Sequence, residues 1–177
     1  MRAGADLPPA KKAALAKMFR DELKPLGLHV SRGLLQNPDT YDPDPSGTHL
    51  ALYVTPTSSD YGSADYVENF TKLTRVFVPM VFDRWKGLET FDICQEPLDD
   101  ARKEPPPVTQ IFVSRSALDR VGKWKQATLT ELLAAAPKDR RQRGADYYVY
   151  FNGDVRQDPT FQAAADAAGY DTYRLFG

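Results

Sequence analysis

His49-Leu-Ala-Leu-Tyr-Val-Thr55, followed by Ser63-Ala-Asp-Tyr-Val-Glu-Asn-Phe-Thr-Lys-Leu-Thr-Arg-Val-Phe-Val-Pro-Met-Val-Phe-Asp-Arg-Trp85, sets the architecture of this chain. In the first segment Leu50, Leu52 and Val54 share one face and His49, Ala51 and Tyr53 the other, the two-residue period of a strand. In the second, Val67, Phe70, Leu73, Phe77 and Met80 recur at helical spacing as far as Trp85, with Ser63 as N-cap. Pro79 predicts a kink or a split there, because its ring clashes with the carbonyl four residues back. Val76 to Phe82 is apolar nearly all round. That predicts burial on more than one side or a place in a partner interface.

Working outward, Pro8 and Pro9 open a first helix from Pro9 to about Lys24, with Leu15, Met18, Phe19 and Leu23 as its apolar stripe. Pro25 stops it. Leu26 to Leu35 reads as a strand that pairs with the His49 strand across the turn-dense loop Gln36 to Thr48. A second strand pair follows, Leu88 to Gln95 and Val108 to Ser114, separated by the charged, proline-rich and exposed segment Glu96 to Pro107. Ser116 to Val121 is a short helix, and Thr128 with Glu131 forms a capping box for a helix over Leu129 to Ala136. Ala145 to Phe151 is a tyrosine-rich strand that ends at the turn signal Asn152-Gly153. Asp158 and Pro159 are N-cap and first residue of a last helix that stops at Gly169. The expectation is an α+β fold, a mostly antiparallel sheet of about five strands layered with helices. It forms a single domain over residues 1–177, with residues 1–8 flexible.

The 177 residues are 42% hydrophobic, enough for a sizeable core. Basic and acidic groups nearly balance, 23 against 24, so nothing draws the whole molecule to nucleic acid or to an anionic membrane. A single cysteine, Cys94, excludes an internal disulfide framework and a cysteine-based zinc cluster. The apolar run Val76 to Phe82 is too short to span a bilayer, so no transmembrane segment is expected. No Walker loop, Gly-x-Gly-x-x-Gly, Gly-x-Ser-x-Gly or His-Glu-x-x-His occurs. No cofactor and no metal are expected. Asp42-Pro-Asp44-Pro-Ser46-Gly47 opens like a calcium loop, but its twelfth position is Tyr53 where a bidentate Glu is needed, so it reads as a turn.

Alternation in Phe91-Asp-Ile-Cys-Gln-Glu96 places Asp92, Cys94 and Glu96 on one face. Cys94 with His49 and Asp92 is therefore a candidate cofactor-free catalytic set, the His taking the thiol proton. His29 is the other histidine available. The plainer reading makes Cys94 a small buried hydrophobe and His49 a sheet residue. Tyr148 and Tyr150 fall on the face opposite Tyr147, Val149 and Phe151, and offer large rigid contact area with a polar tip. Tyr61, in the polar loop Thr55 to Ser63, and Glu96 are further candidate contacts for a ligand or partner. Arg140, Arg141 and Arg143 beside these tyrosines suggest base stacking and phosphate contact, but Asp139 and Asp146 interrupt the run. Nucleic acid is ranked last among partners.

Thr48-His-Leu-Ala-Leu-Tyr-Val-Thr-Pro56, Arg75-Val-Phe-Val-Pro79, Phe91-Asp-Ile-Cys-Gln-Glu-Pro97 and Pro105-Pro-Pro-Val-Thr-Gln110 resemble uncharacterised envelope lipoproteins of actinobacteria, over residues 48–135. The resemblance implies an extracytoplasmic mature domain and carries no active site with it. Residues 1–12 show no signal-like opening, so the chain reads as cytoplasmic or as a mature portion in which Met1 replaces a removed signal. A lipid anchor would need an upstream segment. The expected function is a non-enzymatic binding or protein-interaction domain, its ligand a protein or a small molecule. The alternative is an enzyme centred on Cys94, His49 and Asp92.

Overall fold

In the computed structural model, which describes residues 8–98, 105–137 and 146–171, the first helix is shorter than its stripe suggests. Helix α1 spans Lys12–Leu23 and buries Leu15, Phe19 and Leu23; Lys11 at its N-cap offers no capping side chain. A 3₁₀ turn, Lys24–Leu26, holds Pro25, and Gly27 at φ 65° swings the chain into strand β1, Leu28–Gln36. Strand β2, His49–Pro56, pairs antiparallel with β1, with a register shift between Val30 and Arg32. The Asp42 to Gly47 segment is a turn in which Asp44 Oδ1 accepts from the Ser46 backbone and hydroxyl.

Helix α2, Ser63–Arg84, begins one residue earlier than a Ser63 cap implies. The N-cap is Gly62, whose N–H donates to Asp65 Oδ2 at 2.8 Å. Pro79 neither splits the helix nor ends it. It lies on the outward side with Val76 and Met80, where water can serve the carbonyl that loses its donor. Burial of the apolar run is correspondingly one-sided. Phe77, Val78, Val81 and Phe82 are core, whereas Val76 is 38% exposed beside an open groove of about 760 Å³.

Strand β3, Thr90–Gln95, returns parallel to β2, so β2, α2 and β3 form a crossover unit. Strand β4, Thr109–Ser114, runs antiparallel to β3. The short helix after it is a 3₁₀ segment, Arg115–Arg120. Helix α3, Leu129–Ala134, carries the expected capping box, the Thr128 N–H donating to Glu131 Oε2 and the Glu131 N–H to Thr128 Oγ1. Strand β5, Tyr147–Phe151, pairs antiparallel with β4. Helix α4, Pro159–Ala168, is capped by Asp158 and closed by Gly169 at φ 63°. The sheet order is β1-β2-β3-β4-β5, and only β2 with β3 is parallel, which is the expected α+β class.

Register divides the sheet into two faces. The rows Gly33–Leu52–Ile93–Ile111–Val149 and Leu35–Leu50–Phe91–Val113–Tyr147 look toward the helices. Gly33 admits α1 closely, since a Cβ there would stand 2.1 Å from Leu15 Cδ1. Phe19 meets Phe77 edge-on at 5.0 Å, placing α1 and α2 on the same side. Phe70 and Phe161 both pack on Phe151 at 4.6 Å, which adds α4. Tyr147 donates to the Leu132 carbonyl at 2.8 Å, which adds α3. Arg115 ties α2 to β3 by donating to the carbonyls of Phe82, Trp85 and Leu88.

Residues 1–7, residues 99–104 of the proline-rich segment, and Arg140, Arg141 and Arg143 lie outside the described residues; Pro8 is buried. Among the described residues no helix is long and apolar enough to cross a membrane.

Candidate functional site

All four helices lie behind the sheet, and among the described residues no helix packs on its other face. Two rows define that face: Arg32–Tyr53–Cys94–Gln110–Tyr150 and Leu34–Ala51–Asp92–Phe112–Tyr148. A third, Gln36–His49–Thr90–Ser114, borders them. The strand period alone puts these residues on one side, and pairing brings them together.

At the centre stand Asp92 and His49. His49 is fully buried, its ring stacked on Phe112 at 5.6 Å, and Phe112 in turn stacks on Tyr148 at 5.3 Å. Tyr41, from the loop between β1 and β2, sets its ring across the His49 ring at 5.4 Å. Its backbone is in the left-handed region at φ 61°, uncommon for a residue with a side chain, and the residue is 48% exposed. His49 Nδ1 meets Thr90 Oγ1 at 2.9 Å, and Gln110 donates to Asp92 Oδ2 at 2.9 Å. That leaves His49 Nε2 and Asp92 Oδ1 buried with no hydrogen-bond partner.

The two groups are close, Nε2 to Oδ2 3.7 Å, which meets a distance criterion for an ion pair but is long for a hydrogen bond. Burial argues against the charged form. It lowers His49 from 6.5 to about 4 and raises Asp92 from 3.8 to about 7, the Gln110 hydrogen bond and Arg32 pulling the acid partly back. At neutral pH the imidazole is neutral and the carboxyl is poised between its two forms.

Glu96 is not the exposed residue its proline-rich surroundings suggest. It is 4% exposed, taking Arg32 Nη2 at 2.9 Å and the Ser31 hydroxyl at 2.5 Å. The Arg32 guanidinium also covers the Tyr53 ring at 3.7 Å from its centroid. Tyr61 lies behind the sheet, not on this face. Its hydroxyl donates to Gln95 Oε1 at 2.8 Å and accepts from Asn69 Nδ2 at 2.7 Å, holding the start of α2 against β3. Tyr148 and Tyr150 do lie on the open face and are half-buried.

The structure separates the proposed nucleophile from its base. His49 pairs with Thr90 and Cys94 with Tyr53, a four-residue offset that is about 13 Å along a strand. His29 sits exposed on β1, with β2 between it and β3. Cys94 is 1% exposed, and its thiol is pushed well up by burial first, then by Asp92 and Glu96. A buried thiol with a raised pKa is a poor nucleophile. The sequence reading missed Gln110, Phe112, Arg32 and Tyr41. Alternation within Thr109 to Ser114 marks Gln110 and Phe112 as sharing a face, but the register shift in β1 and the turn at Tyr41 leave no periodic signal.

Among the described residues no group of three or more His, Cys, Asp or Glu is arranged to hold a metal ion. No protein-family model, curated protein or solved structure matches this chain.

Proposed function

We propose that this protein is a binding domain whose ligand site is the open aromatic face of the sheet, centred on Asp92 and His49. One observation carries the reading: two adjacent polar atoms, His49 Nε2 and Asp92 Oδ1, are buried and unpartnered beneath aromatic rings. Each such atom costs about 1–3 kcal/mol when left unsatisfied. A fold has no structural reason to keep two side by side. Tyr53, Tyr148 and Tyr150 supply half-buried rigid area around them, the composition favoured where a surface is used for contact. Extracytoplasmic placement rests on the lipoprotein resemblance alone.

The test is a titration with phenol, imidazole, benzylamine and benzoate, followed through backbone amide shifts. At least one probe is expected to shift Ala51, Asp92, Gln110, Phe112 and Tyr148 together. Tyr148→Leu should weaken that probe roughly tenfold, as truncating a central aromatic contact does. Shifts confined to the α2 groove, or none on this face at millimolar probe, would overturn the reading.

A further inference from the structure

We propose that the ligand of this face carries a protonated primary or secondary amine, seated between Asp92 and His49 under the aromatic rings. The proposal rests on the binding-face reading and adds the chemical class. The hydrogen-bond inventory comes first. Among the described residues, Asp92 Oδ1 and His49 Nε2 are the buried side-chain atoms without partners; Oδ1 accepts, and Nε2 accepts in the tautomer whose Nδ1–H donates to Thr90 Oγ1. The amide and guanidinium donors nearby are engaged, Gln110 with Asp92 and Arg32 with Glu96. A ligand group that brings two donors satisfies both atoms at once.

Charge narrows the class further. Glu96 has its cation in Arg32 at 2.9 Å, whereas Asp92 feels that guanidinium only at longer range and has a neutral imidazole as its neighbour at 3.7 Å. Tyr41, Phe112 and Tyr148 cluster beside this carboxyl, and aromatic faces attract cations where water is excluded. The same face already holds one cation in this way, the Arg32 guanidinium over Tyr53. An ammonium group fits both demands. It donates to Oδ1 and Nε2, and its charge meets the carboxylate. A quaternary ammonium, with no N–H, would leave both acceptors unsatisfied. Tyr41, half-exposed on its loop, is the group that must move to admit the ligand.

Binding then has a proton balance. Below neutral pH Asp92 is a carboxylic acid, and pairing with R–NH3+ converts it to a carboxylate with release of one proton to solvent. The titratable and charged groups around Asp92 are His49 and Tyr53 from β2, Arg32 from β1, Cys94 and Glu96 on its own side, Tyr148 from β5, and Tyr41. Tyr41, Tyr53, Tyr148 and Cys94 are all held neutral, their ionisation pushed up by burial, so the proton released comes from Asp92.

Calorimetric titration of the whole protein with benzylamine, benzyl alcohol and benzoate tests this, at pH 6 and 8 and in two buffers of different ionisation enthalpy. Benzylamine is expected to bind best. Its affinity should be about tenfold higher at pH 8 than at pH 6, because the competent carboxylate is about a tenth populated at the lower pH. Nearly one proton should be released per ligand at pH 6. Asp92→Asn keeps an acceptor for Gln110 and should abolish both benzylamine binding and proton release. His49→Gln should weaken binding while proton release persists. Tighter binding of benzyl alcohol or benzoate, benzylamine binding without proton release, or binding unaffected by Asp92→Asn would overturn the amine assignment and leave the face reading standing. Failure of every probe to reach this face would overturn both.

Discussion

Replacing His49 and Asp92 one at a time should expose two opposed pH dependences of stability that the intact pair conceals. Burial raises Asp92 from 3.8 to about 7. Between those values the folded chain keeps a proton that the unfolded chain has released. Asp92 therefore contributes most below pH 4, and that contribution is lost as pH climbs to 7. Three pH units at about 1.4 kcal/mol each make the loss up to about 4 kcal/mol. His49 acts in the other direction, its folded value depressed from 6.5 to about 4. Its contribution is complete above pH 6.5 and is lost on acidification to 4, by up to about 3 kcal/mol. The two windows overlap, so the wild-type pair should be nearly flat between about pH 4 and 6.5. His49→Gln should leave the falling limb, with stability dropping from pH 4 to 7. Asp92→Asn should leave the rising limb, with stability climbing from pH 4 to 6.5. Urea denaturation at half-unit pH intervals from 4 to 9, each curve referenced to the double variant, measures both. Flat single variants would refute the claim that burial controls these groups. A wild-type loss of more than about 1 kcal/mol between pH 7 and 9, absent in His49→Gln, would mean that the proton sits on His49 in an ion pair.

Three further outcomes follow from the geometry. Gly33→Ala should cost about 1–3 kcal/mol in urea denaturation, since its Cβ would meet the fully buried Leu15 at 2.1 Å; a cost under about 0.5 kcal/mol would show that α1 yields freely. Arg115→Met should cost about 2–4 kcal/mol by leaving the carbonyls of Phe82, Trp85 and Leu88 without their donor, and Arg115→Lys should restore less than half, because an ammonium cannot reproduce the planar fork. Cys94 should resist iodoacetamide at pH 8 until urea is added, and rapid alkylation of the folded protein would revive the thiol chemistry.

Sequence and structure agree where the signal is local. Thr128 and Glu131 cap each other within one turn, and Asp158 caps α4 by accepting from the N–H groups of Thr160 and Phe161. Alternation placed Tyr148 and Tyr150 opposite Tyr147 and Phe151, and Asp92 with Cys94, as observed. Local signal misled where the surroundings override it. Glu96 opens a charged, proline-rich stretch and so looks solvated, yet Arg32 and Ser31, more than sixty residues away, neutralise and bury it. Ser63 is the better capping residue by type, but the Asp65 carboxylate reaches back to Gly62 and moves the cap.

The candidate site shows where that boundary lies. Residue order by itself determined which side chains share a strand face, which segments are helix and which are strand, and hence the α+β class, because those properties depend on dihedral preferences and spacings within a few residues. Tertiary structure decided what meets across strands. The parallel seating of β3 on β2 puts His49 opposite Thr90 and within 3.7 Å of Asp92, while carrying Cys94 about 13 Å along the strand. A shift of two residues in that register would have brought His49 nearer the thiol with the same hydrophobic alternation. The choice is made by how α2 and its neighbours fill the space behind the sheet, a sum of contacts between residues far apart in the chain.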